Sequence, residues 1–207
     1  MAERTGWVRS HGVPLRYGAR LLFGLLWGID GALKLLPNTV FWFQERMIAV
    51  GIGQPAWLVG WFAFWLAQAN AYGALDVALI ASLEFALSVC LVLGLLRKTA
   101  YVGGVALSLL LWAIPEGFGG PYDQGTFDIG GGILYAVVFL LLIILDSDPR
   151  SNWHTLDARI EGRWPGWAWW AEVESPSPGA NPTSADREVH EESLPEPATK
   201  SKGETGA

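Results

Sequence analysis

Apolar residues gather into four long runs, and the way each run is interrupted predicts the elements. The first follows Arg4, Arg9, Arg16 and Arg20, with no acid after Glu3, and continues through LLFGLLWGIDGALKLL to Pro37. It contains Asp30 and Lys34 and lacks a small-residue cleavage pattern, which predicts an uncleaved signal-anchor helix of about 20 residues. Residues 72–96 and 99–114 form two further runs, separated by little more than Arg97 and Lys98. A fourth extends from about Ile129 to Leu145 and stops at Asp146, Ser147, Asp148 and Pro149. All four have the length and continuity of helices.

Residues 38–71 are less regular. The stretch 47–67 is apolar enough to raise a fifth crossing, but Gly51, Gly53, Gln54 and Pro55 interrupt it. Charge decides the matter. With only two crossings between the N-terminal arginines and Arg97/Lys98, both basic clusters fall on the cytoplasmic side, whereas a further crossing would separate them. The expectation is therefore two short helices lying in, or re-entering from, the outer leaflet. Trp57, Trp61 and Trp65 are spaced to share one face, as an interfacial aromatic belt or as the wall of a ring pocket.

Composition agrees with a bilayer setting: 51% of residues are hydrophobic, 16% are charged, and there are 12 Trp. The net charge of −6 is mostly the tail's. Residues 171–207 hold eight of the 20 acids but three of the 14 bases, and have no aromatic residue, a composition expected to stay disordered. Between the last apolar run and that tail, Arg159 and Arg163 alternate with Trp153, Trp164, Trp167, Trp169 and Trp170, a mixture suited to the anionic cytoplasmic leaflet. The reading is an all-α, integral-membrane four-helix bundle with short interfacial or re-entrant helices after the first span. Its divisions are a cytoplasmic N-terminus at 1–15, the membrane domain at 16–146, a membrane-surface segment at 147–170 and a disordered tail at 171–207. Both termini are expected in the cytoplasm of a bacterial plasma membrane.

Ionisable groups inside apolar runs are costly and call for a partner or a purpose. Asp30 and Lys34 are four apart and can meet on one helix face. Glu84 lies eight residues beyond Asp76, ~12 Å deeper on roughly the same face. A carboxyl there must be neutral or paired with a base such as Lys34. The polar stretch PEGFGGPYDQGTFD at 115–128 adds Glu116, Asp123 and Asp128 on the same outer side. Asp128 is placed to cap the last helix. Gly24, Gly28, Gly31, Gly103, Gly104 and Gly130–Gly132 fit close helix packing. Gly117, Gly119 and Gly120, flanked by prolines, predict a tight non-helical loop with exposed backbone donors. Cys90 is the only cysteine and reads as a small buried hydrophobe; no disulfide or C-x-x-C pair is possible.

The set Gly28, Asp30, Gly31, Lys34 and Leu35, the glutamate Glu84 followed by LGLLRK, and above all GFGGPYDQGTFDIGGGILYAVVFL resemble the DoxX/DoxD family of membrane proteins over residues 15–146. The resemblance implies a small integral-membrane subunit linked to quinone respiration. In particular it implies the DoxD-type large subunit of an enzyme that oxidises thiosulfate to tetrathionate and reduces membrane quinone. On that reading Glu84, Asp76 and Asp30 relay protons. Lys34, Arg46, Trp61, Trp65, Glu116, Gly119, Gly120 and Asp128 are the candidates for holding quinone or substrate.

His11, His154 and His190 all fall outside the apolar runs, so no haem is held within the bundle, and no metal-ligand spacing is present. A redox role would rest on quinone itself. The acidic outer face is unfavourable for thiosulfate. Either the Gly117–Gly120 amides form an anion nest with Lys34 and Arg46, or a further protein subunit binds the anion, which is the favoured expectation. Two other functions compete: a non-catalytic scaffold that recruits soluble redox partners, and, ranked last, a carrier of small polar solutes.

Overall fold

The computed structural model describes residues 2–120, 129–146 and 155–172, and every regular element among them is helical. In order these are α1 (Ala2–Leu33), α2 (Thr39–Gly51), α3 (Val59–Leu93), α4 (Arg97–Ala113), α5 (Gly131–Asp146), α6 (Leu156–Glu161) and α7 (Ala168–Ala171). Short 3-10 turns at Ala56–Leu58, Gly117–Gly119 and Pro165–Trp167 join some of them.

The break expected at Gly51–Pro55 is present: Gly53 has φ +76°, and Pro55 starts the turn that leads into α3. The break expected before residue 72 is present as a kink: residues 59–93 comprise two helices joined at Tyr72, whose backbone is not helical (φ −132°, ψ 18°). The bend has a local cause. Gln44 of α2 reaches across and its Nε2 donates to the Ala69 carbonyl at 3.0 Å, filling a position in the helical ladder. Gly73 lets α2 come this close, because a Cβ there would lie 3.3 Å from both Gln44 and Val40. With no proline between 56 and 114, nothing else stops the helix.

Four long helices share one core. Phe23 and Trp27 of α1 pack with Leu87 and Leu91 of α3, Tyr101 and Leu107 of α4, and Phe139 and Leu142 of α5. Rings meet edge to face at its centre, Phe23 lying 4.8 Å from Phe139 and 5.6 Å from Tyr135. Gly104 makes the α4–α5 contact possible, since a Cβ there would stand 2.2 Å from the Phe139 ring. Gly24, Gly28 and Gly31 line the face of α1 that meets α3, whereas Gly103 faces open space. Cys90 packs, partly buried, against the core.

Polarity is inverted relative to a water-soluble bundle. Arg20, Glu84, Arg97, Ser108, Asp146 and Asp157 are buried, while Leu22, Ile29, Leu79, Val102, Leu134 and Ile144 stand on the outside, each more than half exposed. One helix, Ala56–Leu93 counted with its leading turn, is long and apolar enough to cross a membrane; α5 is apolar and shorter.

Candidate functional site

Lys34 is the centre of the site. It comes one residue after α1 ends, in a turn where its N–H still bonds back to Gly31. Its Nζ lies 2.8 Å from Glu84 Oε1 and 3.4 Å from Asp30 Oδ2. Two carboxylates therefore share one ammonium. The Glu84 side chain is fully buried, and its Oε2 has no partner. Gly31 of α1 packs beside Glu84, where an added Cβ would stand 3.4 Å from the Glu84 Cβ, in ordinary contact.

Asp30 and Lys34 face a cavity of ≈ 430 Å³ whose walls include Trp42, Phe43, Arg46 and Glu116. A second cavity of ≈ 210 Å³, almost wholly apolar, lies against it. The two share Phe43, Ile80, Leu111 and Pro115, and the second adds Trp65, Asp76 and Leu107. The indole Nε1 of Trp65 is buried without an acceptor. Asp76 accepts from Gln68 at 3.4 Å. The paired space thus has a charged compartment and a greasy one, with Glu84 sealed behind the charged wall.

The polar loop after α4 closes this end. Glu116 caps α5, both carboxylate oxygens accepting from the Gly132 N–H at 3.1 and 2.9 Å. Asp128, expected to do so, lies outside the described residues, as does Asp123. The backbone donors expected to be free in this loop are occupied: the N–H groups of Gly117, Gly119 and Gly120 bond to Ile114, Glu116 and Gly117 carbonyls at 3.3, 2.9 and 3.0 Å. That corrects the anion nest, because a 3-10 turn uses the amides that a nest would need. Gly119 itself (φ +76°) is packed against Ile129, where a Cβ would meet the carbonyl oxygen at 2.2 Å. Gly119 and Gly120 shape the loop through these bonds and this close packing. Arg46 spends its Nε on the Pro115 carbonyl at 2.9 Å, although its side chain still lines the charged cavity.

The aromatic stripe resolves into a pair. Trp61 and Trp65 meet at 5.6 Å, while Trp57 is 80% exposed. Trp61 donates Nε1 to the Ala113 carbonyl and tilts against Phe118, so it braces the loop and only Trp65 reaches a cavity. Trp42 and Phe43 do line the charged cavity; their place on α2, about one turn before Arg46, was the available signal for them.

At the opposite end lies a second polar cluster, whose residues line neither of the two cavities above. Asp157 of α6, fully buried, accepts from the N–H groups of Leu96 (2.8 Å) and Arg97 (3.1 Å), from Arg97 Nε (3.3 Å) and from Trp167 Nε1 (2.9 Å). Asp146, at the end of α5, accepts from the Tyr101 hydroxyl and lies 3.9 Å from guanidinium nitrogens of both Arg20 and Arg97. Arg97 is 2% exposed. Far from being a solvated charge between helices, it is a buried tie, and the α6–α7 segment is fastened to the bundle instead of only resting beside it. Near this cluster burial and the neighbouring charge of Glu172 push the Glu161 carboxyl up to about 7.

No protein-family model, curated protein or solved structure matches the chain.

Proposed function

We propose that this chain is the integral-membrane subunit of a quinone-linked oxidoreductase, a four-helix bundle whose paired cavity receives the quinone. The observation that carries the reading is Lys34, held by Asp30 and Glu84 on the wall of a charged compartment that adjoins an apolar one. A quinone has the same division, two carbonyl oxygens on a ring with a hydrocarbon tail.

The membrane setting is supported by the inverted polarity and by length. The limb of α3 from Tyr72 to Leu93 measures ~33 Å at about 1.5 Å per residue, close to the ~30 Å of a bilayer core. The limb before the bend is surplus to a crossing and lies with α2 at the cavity end. The basic residues favour the same topology: Arg20 and Arg97 pair with one carboxylate, Asp146, so the two basic stretches meet at one end, which is the cytoplasmic end by the positive-inside rule.

Quinone accepts two electrons and two protons to become quinol. This chain's share is binding and proton movement. The Lys34 ammonium donates a hydrogen bond to a carbonyl oxygen, and the two protons that quinol needs enter from water at the charged cavity, passed on by Lys34, Asp30 and Glu84, each carboxylate taking a proton up before giving it. Glu84, in contact with Lys34 Nζ, is the proton store of this relay. Electrons come from a sulfur donor; two thiosulfates joined as tetrathionate release two. The charged compartment holds Asp30 and Glu116 beside Lys34 and Arg46, and the loop amides are taken, so a partner subunit binds the dianion.

The test is purification from native membrane in mild detergent, followed by extraction of bound quinone, and quinone reduction by the membranes on adding thiosulfate. Quinone is expected in the wild type and absent from Lys34→Met, and Glu84→Gln should abolish reduction while retaining quinone. Full activity in Glu84→Gln would remove the proton store, and a preparation with neither quinone nor partner would remove the enzymatic reading.

A further inference from the structure

The quinone reading leaves the α6–α7 cap without a role beyond closing one end. Its inner side is used up by Asp157, but its outer side is not. Trp164, Trp169 and Trp170 are 71%, 65% and 55% exposed, a large apolar area for so short a segment. Arg159 and Arg163 are exposed and four residues apart at the end of α6. Glu161, between them in sequence, is partly buried and beside Glu172.

The patch is joined to the flank of the bundle. Lys98 Nζ sits 5.0 Å over the Trp169 ring, and Thr99 Oγ1 donates to the Trp170 carbonyl at 3.0 Å. Lys98 and Thr99 belong to the first turn of α4. One turn further along the Lys98 face comes Val102, 58% exposed, where the apolar outer flank begins. The exposed indoles and, on the same short segment, the two arginines are thus brought alongside the aliphatic flank through Lys98 and Thr99. A bilayer surface likewise brings hydrocarbon, interface and phosphate together.

We infer that the cap is a binding surface for anionic phospholipid headgroups, with Lys98, Arg159 and Arg163 taking the phosphate charge and the exposed indoles lying at the interface. A patch for a soluble protein would need no continuity with the aliphatic flank, and it is that continuity, with the matching charge, that favours lipid. The inference rests on the membrane reading given above.

The experiment uses the full chain in nanodiscs of phosphatidylcholine alone and of phosphatidylcholine mixed with phosphatidylglycerol. Native mass spectrometry reads the lipid retained, and brominated lipids report the depth of the tryptophans. Phosphatidylglycerol should be retained preferentially and less so in high salt. Arg159→Gln and Arg163→Gln should each lower that preference about fivefold. Both arginines are exposed and outside the Asp157 bonds, so these variants keep the fold, which unchanged Trp167 emission verifies. Equal retention of the two lipids, or an unchanged preference in the double variant, overturns the proposal while leaving the membrane reading intact. A chain that enters neither nanodisc overturns both.

Discussion

The two polar clusters described above are built from similar residues and differ in how many hydrogen bonds tie them and in what lies beside them, for each keeps buried polar atoms without a hydrogen bond, Arg20 Nε and Arg97 Nη1 in one and Glu84 Oε2 in the other. At the Arg97 end, Asp157 alone receives four donated hydrogen bonds, and Asp146 takes a tyrosine hydroxyl and two arginines. At the Lys34 end two carboxylates divide one ammonium, and a buried oxygen of Glu84 has nothing. A low-dielectric interior strengthens satisfied networks and penalises incomplete ones. The first cluster, tied by several hydrogen bonds, is a fastening. The second lies on the wall of the charged cavity, and that position is what marks it as the candidate site.

Removing a partner from each cluster should sharpen the contrast. The largest effect belongs to Asp157→Ala, which leaves Arg97 buried against a lost carboxylate and should cost about 3–5 kcal/mol. Denaturant unfolding in detergent, together with loss of the Trp167 emission shift, measures it; a cost under about 1 kcal/mol would show that the cap is not held this way. Lys34→Met is the matching deletion. Here Glu84 can take up a proton instead of staying charged, so the expected cost is about 1–3 kcal/mol, accompanied by loss of bound quinone. Adding Glu84→Leu should restore stability without restoring activity, since apolar replacement of a buried pair is often neutral or better. If activity returned as well, the pair would be structural and the two clusters alike.

Smaller effects follow. Glu116→Ala removes the cap of α5 and should cost about 1 kcal/mol, seen as faster hydrogen exchange at the start of that helix. The smallest concerns pH. Because Glu161 titrates at about 7 when docked and near 4.5 when free, docking of the cap should be firmest below pH 4.5, weaken as pH rises to about 7, and level off above it. Trp167 emission should follow that curve, and Glu161→Gln should flatten it.

Residues that violate their local surroundings were legible in the sequence. Asp30, Lys34 and Glu84 stand out because charge is expensive in an apolar run, and spacing alone placed Asp30 beside Lys34. The Glu84 partner was readable as the base on the neighbouring run. Asp157 was not, because an acid among arginines and tryptophans outside the apolar runs looks like any surface charge; only the fold brings it to the first turn of α4. Arg97 was expected at the same end as the N-terminal arginines, and it lies with Arg20 at Asp146, but its burial was not readable. The boundary expected at residue 72 falls where Tyr72 leaves helical geometry, but the Gln44 contact beside the kink, 25 residues away in sequence, was not readable. The loop glycines show the same limit: composition marked a turn, but not that the turn would use its own amides.

Asp157 also imposes an order of events on a chain made from its N-terminus. The Leu96 and Arg97 amides that begin α4 receive their cap from a residue synthesised sixty positions later. At ordinary ribosome speeds that is a wait of roughly 3–12 s, during which α5 has also to emerge. A nascent chain stopped after α5 would therefore have every long helix described and still lack a finished α4, which is completed only when α6 brings Asp157 to it.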